Sequence, residues 1–225
     1  MAGFKPIYLL LIIFALLGWL AQWRLRKIYF HYLEIPNKRG KNGREAAQAL
    51  LSFYGLDIPI LETERQLSNF YNPQNKTLNF CKKIAETASV TSLGIVAHEV
   101  GHAVQDNRGF QFMEMRNRFA KILAITGQLS PLVFIWGVFF RNLLLVYTGV
   151  LLLFGMVIFA LISLPVELNA SSWALEALKE VGLADREEIG IVAVVLRHAA
   201  FTYVINGLQR IGTFLFIVLI LTMIR

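Results

Sequence analysis

Residues 91–105, TSLGIVAHEVGHAVQ, decide how the rest of the chain is interpreted because they contain the motif His-Glu-x-x-His. His98 and His102 are four positions apart, so on a helix both imidazoles lie on one face and can reach a single metal ion. Glu99 lies beside them, where a carboxylate can take a proton from a metal-bound water. The stretch therefore predicts a helix that carries two metal ligands and a base.

The residues around the motif predict a helix at 91–106. Apolar residues recur at helical spacing on the face opposite the histidines; they are Leu93, Val96, Val100 and Val104. The same helix contains several small residues, which reduce its width. Two of them are glycines, Gly94 and Gly101, and each costs about 1 kcal/mol of helix propensity. Two core histidines with a surface glutamate would leave these glycines unexplained. We therefore expect another segment to approach this helix closely.

The composition predicts a mainly α integral membrane protein. Of the 225 residues, 56% are hydrophobic, and they are concentrated in long runs. The net charge of +7 is explained by positive flanks of membrane spans rather than by nucleic-acid binding. Cys81 is the single cysteine, which excludes a disulfide framework and a thiolate zinc cage within this chain.

The apolar runs predict about four transmembrane helices around a small α+β domain. The predicted segments are 6–23 (transmembrane helix 1), 24–122 (the region with the motif), 123–164 (a hairpin of transmembrane helices 2 and 3), 165–206 (a separate helix that carries Glu167 after an interruption at Pro165, and a second helix) and 207–225 (transmembrane helix 4). No A-x-A-like site follows the first run, so we interpret it as an uncleaved span rather than a signal peptide. In the second segment we expect a helix ending at Gly55 and short strands at 58–61, 66–71 and 76–80.

The basic residues predict which side of the membrane holds the motif. Six lie beside the motif-bearing region, at Arg24, Arg26, Lys27, Lys38, Arg39 and Lys41, against Lys5, Arg141 and Arg225 on the opposite side. The positive-inside rule therefore predicts an inner or plasma membrane protein whose motif faces the cytoplasm.

A catalytic zinc needs a third protein ligand beside the two histidines. The candidates are acidic residues, His31 and His198, and we favour Glu167. A carboxylate at the membrane edge is costly unless it is paired or binds a cation, and the small residues that follow Glu167 permit close packing. The alternative is that Glu167 binds no metal and only interacts favourably with the positive N-terminal end of the macrodipole of its helix.

Four stretches of the sequence resemble the YugP-type membrane zinc metallopeptidases: FYNP at 70–73, AHEVGHAVQ at 97–105, LPVELNAS at 164–171 and AAFTYV at 199–204. The resemblance covers most of the chain after the first span, and the HtpX and CAAX-prenyl protease families are more distantly similar. It implies a small gluzincin-like zinc peptidase domain. It also implies that His98, His102 and Glu167 bind one Zn²⁺ per chain and that Glu99 is the general base.

The sequence departs from distant relatives in one respect. They often place an aspartate four residues after the third ligand to orient a zinc-bound histidine, whereas this chain has Ser171, with Asn169 nearby. Arg197, His198 and Tyr203 share a polar face and are candidates for stabilising an oxyanion. Tyr203 is equally consistent with an interfacial tyrosine.

These residues predict a zinc-dependent metalloendopeptidase in which Glu99 activates a zinc-bound water for peptide hydrolysis. Its expected partners are the lipid bilayer and peptide or protein substrates, including membrane proteins, and no nucleic acid. The main rival is a catalytically inactive zinc-binding membrane scaffold, although a structural site needs no base such as Glu99. A metal transporter would need its ligands within spans, whereas the motif lies between them.

Overall fold

The computed structural model describes residues 5–64 and 68–224, and the chain forms two compact units. The site unit comprises Trp23–Glu114 and Pro165–Ala200, and the span unit comprises Met1–Gln22, Met115–Leu164 and Phe201–Arg225. The elements in chain order are α1 (Lys5–Leu33), α2 (Gly43–Tyr54), β1 (Ile60–Thr63), β2 (Phe70–Asn72), β3 (Thr77–Cys81), α3 (Lys82–Glu86), α4 (Val90–Asn107), α5 (Gln111–Phe139), α6 (Leu143–Glu180) and α7 (Arg186–Ile224).

Helix α2 has a capping interaction at each end. Asn42 caps its start and forms a capping box with Glu45, so two otherwise unpaired backbone N–H groups are satisfied. Gly55 ends the helix with φ of 64°, a left-handed conformation that glycine adopts without strain. The expected end at Gly55 is therefore confirmed.

The three strands form one small sheet in the order β1-β3-β2. Strand β1 is parallel to the central strand β3, and β2 is antiparallel to it, with Tyr71 opposite Leu78. Three strands were expected, and each observed strand is offset from its predicted range by one or more residues. Residues 66 and 67 of the second predicted strand lie outside the described residues.

The core of the site unit is built around α4. The four residues of its apolar stripe are all at most 1% exposed. They pack with buried side chains of α2, β3 and α3, including Leu50, Phe80 and Ile84. This burial on one face confirms the predicted stripe and leaves the opposite face for the histidines.

Among the described residues, two helical segments are long and apolar enough to cross a membrane: Leu143–Glu180, which is α6, and Arg186–Val218 within α7. Residues 129–139 form a shorter apolar stretch within α5, and the predicted span 6–23 lies within α1. Length and composition of the described helices thus support two candidate spans, and the expected number of four is not supported.

Two predicted interruptions are wrong. Pro165 does not end its helix, since α6 continues through it from Leu143 to Glu180. A proline within an apolar helix is tolerated where neighbouring groups satisfy the freed carbonyl. Gly207 likewise lies inside α7 rather than between two helices, because one glycine costs only about 1 kcal/mol in a long helix.

Candidate metal centre

Helix α4 carries the two histidines on one face. It starts after Ser89, whose side chain accepts a hydrogen bond from the backbone N–H of Ser92, and it runs one residue beyond the predicted range at each end. The rings of His98 and His102 are 4.7 Å apart between centroids, as expected for positions one turn apart.

Helix α6 brings Glu167 against both imidazoles. Its Oε2 lies 3.2 Å from Nε2 of His98, and its Oε1 lies 3.6 Å from Nε2 of His102. One ligand atom from each residue lies within 4.8 Å of the others, and Glu167 is only 4% exposed. Ligand atoms about 2.0–2.1 Å from a tetrahedral zinc lie roughly 3.3 Å apart. The donor set fits zinc, and the two nitrogen–oxygen distances of 3.2 and 3.6 Å are close to that value.

The glycines of α4 allow this approach. A Cβ on Gly101 would lie 2.8 Å from the carbonyl oxygen of Ala170 in α6, closer than such atoms can come. A Cβ on Gly94 would lie 3.0 Å from Val192 of α7. The expectation that another segment approaches this helix closely is confirmed, and there are two such segments.

The second ring nitrogen of each histidine has a partner. Oγ of Ser171 lies 3.2 Å from Nδ1 of His98, and Oε1 of Gln105 lies 2.9 Å from Nδ1 of His102. When the Nδ1–H groups donate to these oxygens, both Nε2 lone pairs are directed at a metal. Ser171, four residues after Glu167, thus contacts one of the candidate ligands.

Gln105 also joins α4 to α6. Its Nε2 donates to the carbonyl oxygen of Val166 and to Oδ1 of Asn169, both at 2.8 Å, and the side chain is fully buried. Because the amide nitrogen has two acceptors, the amide oxygen must be the atom that faces His102. His102 is therefore held in the tautomer with hydrogen on Nδ1.

Glu99 is oriented by the sheet. Its Oε2 accepts a hydrogen bond of 2.9 Å from the backbone N–H of Tyr71 in β2. Burial raises the pKa of Glu99 above its usual range, although the nearby imidazoles of His102 and His98 oppose this shift. The neighbouring carboxylate of Glu167 raises this pKa further, because two negative charges in one site repel each other.

The side chain of Tyr71 fastens β2 to α4 at a second point. Its hydroxyl donates to Oδ2 of Asp106 at 2.7 Å, and Lys76 forms a salt bridge with the same oxygen. Burial and the hydrogen bond to Asp106 both raise the pKa of Tyr71 above its usual value. These contacts hold the strand whose N–H group reaches Glu99.

The remaining candidates take other positions. Nδ1 of His198 lies 2.8 Å from the carbonyl oxygen of Val194 in its own helix, and Arg197 is exposed. Tyr203 is 46% exposed and belongs to the span unit, so its role stays a prediction. Neither His31 nor His198 belongs to the ligand group found among the described residues.

Sequence reasoning assigned no role to Gln105 or to Tyr71. Gln105 gave a signal that could have been used: a polar residue three positions after His102 that directly follows Ala103 and Val104. The contact of Tyr71 comes from its backbone, which carries no sequence signal.

Two helices thus bring two histidines and a buried carboxylate together, an arrangement that is typical of metal-dependent hydrolases. The chain belongs to the family described as "Putative neutral zinc metallopeptidase", which matches residues 7–222. It is also 30% identical over 205 residues to the "Putative membrane protease YugP" of Bacillus subtilis (strain 168), covering 91% of each chain. No solved structure matches the chain.

Proposed function

We propose that this protein is a membrane-embedded, zinc-dependent metalloendopeptidase. The observation that carries the proposal is the meeting of His98, His102 and Glu167 from two helices, with one donor atom of each within 4.8 Å of the others. Membership of the zinc metallopeptidase family and the membrane-protease relative support the same activity.

In this proposal His98, His102 and Glu167 hold one zinc ion per chain. Zinc would polarise the scissile carbonyl and lower the pKa of water at the site. Gln105 and Ser171 keep the imidazoles in the orientation that ligation requires, because each is within hydrogen-bonding distance of an Nδ1 atom.

Glu99 acts as the general base and then as the general acid. Its carboxylate takes a proton from the attacking water and passes that proton to the nitrogen of the departing amine. The hydrogen bond from the Tyr71 backbone holds Oε2, so Oε1 is the oxygen assigned to the water. The expected substrates are peptides or proteins, membrane proteins among them.

We also propose that the site faces the cytoplasm, on the side where Arg24, Arg26 and Lys27 follow the first apolar run. Reporter fusions at the C-terminus test this orientation. A periplasmic-type reporter should be active there and a cytoplasmic one inactive, and the reverse pattern would contradict the proposal.

The activity is tested with Glu99→Gln in detergent-purified protein, with quenched fluorescent peptides as substrates. Turnover should fall at least about a hundredfold while zinc content stays unchanged. The matched control is Glu86→Gln, at an exposed position of α3, which should cleave like the parent. Equal cleavage by Glu99→Gln would refute the mechanism. A zinc-loaded parent that cleaves no peptide would favour the inactive scaffold.

A further inference from the structure

Helix α7 carries a line of polar side chains in a stretch that is otherwise apolar. Asn206, Arg210 and Thr213 follow one another at intervals of four and three residues, so they lie along one face of the helix, with Gln209 beside them. This is the spacing at which a helix contacts a second helix packed along it. The polar line belongs to the span unit, whereas the histidine cluster belongs to the site unit.

Two of the four side chains have hydrogen-bond partners within the span unit. Nε2 of Gln209 donates to the carbonyl oxygen of Phe14 in α1 at 2.6 Å, and Oγ1 of Thr213 donates to the carbonyl oxygen of Gln209 at 2.9 Å. In the part of the chain that the structure describes, no hydrogen bond or ion pair is seen for the side chains of Asn206 and Arg210. Polar groups without partners are costly in hydrocarbon, so these two neighbours call for a partner from outside.

The polar line borders a cavity between α6 and α7 with a volume of about 320 Å³. Two contacts place these helices antiparallel beside it. The ring centroids of Phe154 and Phe214 are 5.4 Å apart, and a Cβ on Gly207 would lie 3.8 Å from Cβ of Ala160. Asn206 lines the cavity and is exposed, so a neighbouring molecule can reach it.

The cavity lies below the surface of a bilayer that these helices span. At 1.5 Å per residue, Met156 in the cavity wall lies about 20 Å along α6 from Leu143, and Arg210 lies about 21 Å along α7 from Ile224. A hydrocarbon core is about 30 Å thick, which leaves Arg210 about 10 Å inside the nearer boundary. Headgroup phosphates and soluble anions lie outside this layer. The partner must therefore be embedded in the membrane itself.

The span unit supplies no counterion for Arg210. Its three segments contain no aspartate or glutamate, so the span unit of a second copy cannot supply a carboxylate either. Aspartate and glutamate in transmembrane helices are the anionic groups that proteins carry into this layer, and they pair there with basic side chains. A guanidinium binds a carboxylate through two parallel N–H donors.

We propose that this cavity receives a transmembrane helix of another membrane protein, whose aspartate or glutamate pairs with Arg210. The amide of Asn206, one turn away, donates to a polar group of the same helix. From Asn206 to Thr213 the polar line is about 10 Å long, two turns along which the partner helix packs. This interaction is additional to the proposed peptidase activity and does not rest on it.

The test uses the full chain in phosphatidylcholine liposomes, with energy transfer to a labelled synthetic transmembrane helix. The probe helix consists of leucine and alanine with one aspartate about 10 Å from one membrane boundary, and leucine replaces that aspartate in the matched probe. The parent should bind the aspartate probe about tenfold more tightly than the leucine probe. Arg210→Gln should remove this preference.

The control variant is Arg141→Asn, an equal change of charge at the exposed turn before α6. Its φ of 52° is one that asparagine tolerates. This variant should prefer the aspartate probe as the parent does.

Equal affinity of the parent for the two probes would overturn the proposal, and this comparison does not depend on how a variant folds. A preference for aspartate that persists in Arg210→Gln would overturn it as well. Energy transfer between two labelled copies of the parent that the aspartate probe abolishes would assign the cavity to a second copy instead. Loss of probe binding in phosphatidylglycerol would assign it to an anionic lipid. No readout depends on zinc or on peptide hydrolysis.

Discussion

Oε1 of Gln105 lies 2.9 Å from Nδ1 of His102, while the nitrogen of the same amide bonds two oxygens of α6. One fully buried side chain therefore does two things. It sets the tautomer of a candidate ligand, and it fixes the helix that carries Glu167 at the distance that a shared metal ion requires.

Replacing Gln105 by alanine should weaken zinc binding about 10- to 100-fold. It should also lower the free energy of unfolding by about 1–3 kcal/mol, because buried groups on both helices lose their partners. Chelator competition measures the first effect and denaturant titration the second. The control is Gln48→Ala, at an exposed position of α2. Equal zinc affinity in Gln105→Ala and in the control would show that Gln105 does not position His102.

Gly101→Ala should destabilise the protein although alanine is the better helix former. The new Cβ would meet the backbone of Ala170 at 2.8 Å, and such overpacking costs about 1–3 kcal/mol. Gly190→Ala is the matched control, because its Cβ would meet nothing within 4 Å. That control should stabilise the protein by about 0.5–1 kcal/mol. Thermal unfolding of both variants gives the comparison, and the same sign of effect in both would contradict it.

Ser171→Ala should lower zinc affinity about tenfold, because Nδ1 of His98 loses the oxygen 3.2 Å away. Ser172→Ala changes an exposed neighbour and should bind zinc like the parent. Isothermal titration with zinc distinguishes the two variants. Parent-like affinity in Ser171→Ala would remove Ser171 from the site.

Glu167→Ala should lose the metal. Elemental analysis should find about one zinc per chain in the parent and a clear loss in the variant, because two imidazoles alone leave a catalytic zinc site incomplete. Glu180→Ala, at the exposed end of α6, should keep its zinc. Full zinc in Glu167→Ala would move the third ligand elsewhere, with His198 the first alternative.

Tyr71→Phe should give a stability difference that depends on pH. Burial and Asp106 raise the pKa of Tyr71 above its ordinary value of 10.0, so folding favours the protonated phenol. The resulting stability is complete below about pH 10 and is lost as the pH rises further. The parent should therefore have a higher unfolding midpoint than the variant at about pH 8, and the two midpoints should converge as the pH rises above about 10.

The control for that series is Tyr32→Phe near the end of α1, a hydroxyl for which no hydrogen bond is seen among the described residues. Its midpoint should follow that of the parent throughout. A gap between Tyr71→Phe and the parent that stays constant with pH would show that the bond to Asp106 does not shift the titration.

Local geometry explains what could be predicted. The relation of His98, Glu99 and His102 follows from the helical period, and the end of α2 follows from the freedom of Gly55 to adopt positive φ. Pro165 and Gly207 misled the prediction because their local preferences are weaker than the continuity of long apolar helices.

Glu167 could be predicted only in part from the sequence. It lies 69 residues from His98 in the chain, so the helical period cannot place it beside the motif. We chose it as third ligand because an unpaired carboxylate at the membrane edge is energetically costly and because of the family resemblance. The roles of Gln105 and of the Tyr71 backbone were out of reach because they depend on which groups of α6 and β2 arrive beside α4.

The sequence by itself determined the motif, the apolar face of α4, the small residues that permit close packing and the apolar character of α6 and α7. These follow from side-chain chemistry and from periods of a few residues. Tertiary structure alone decided which carboxylate meets the imidazoles, which amide holds Nδ1 of His102 and which N–H group orients Glu99. Those contacts join groups far apart in the chain, and only the packing of α4 against α6 and β2 brings them within hydrogen-bonding distance.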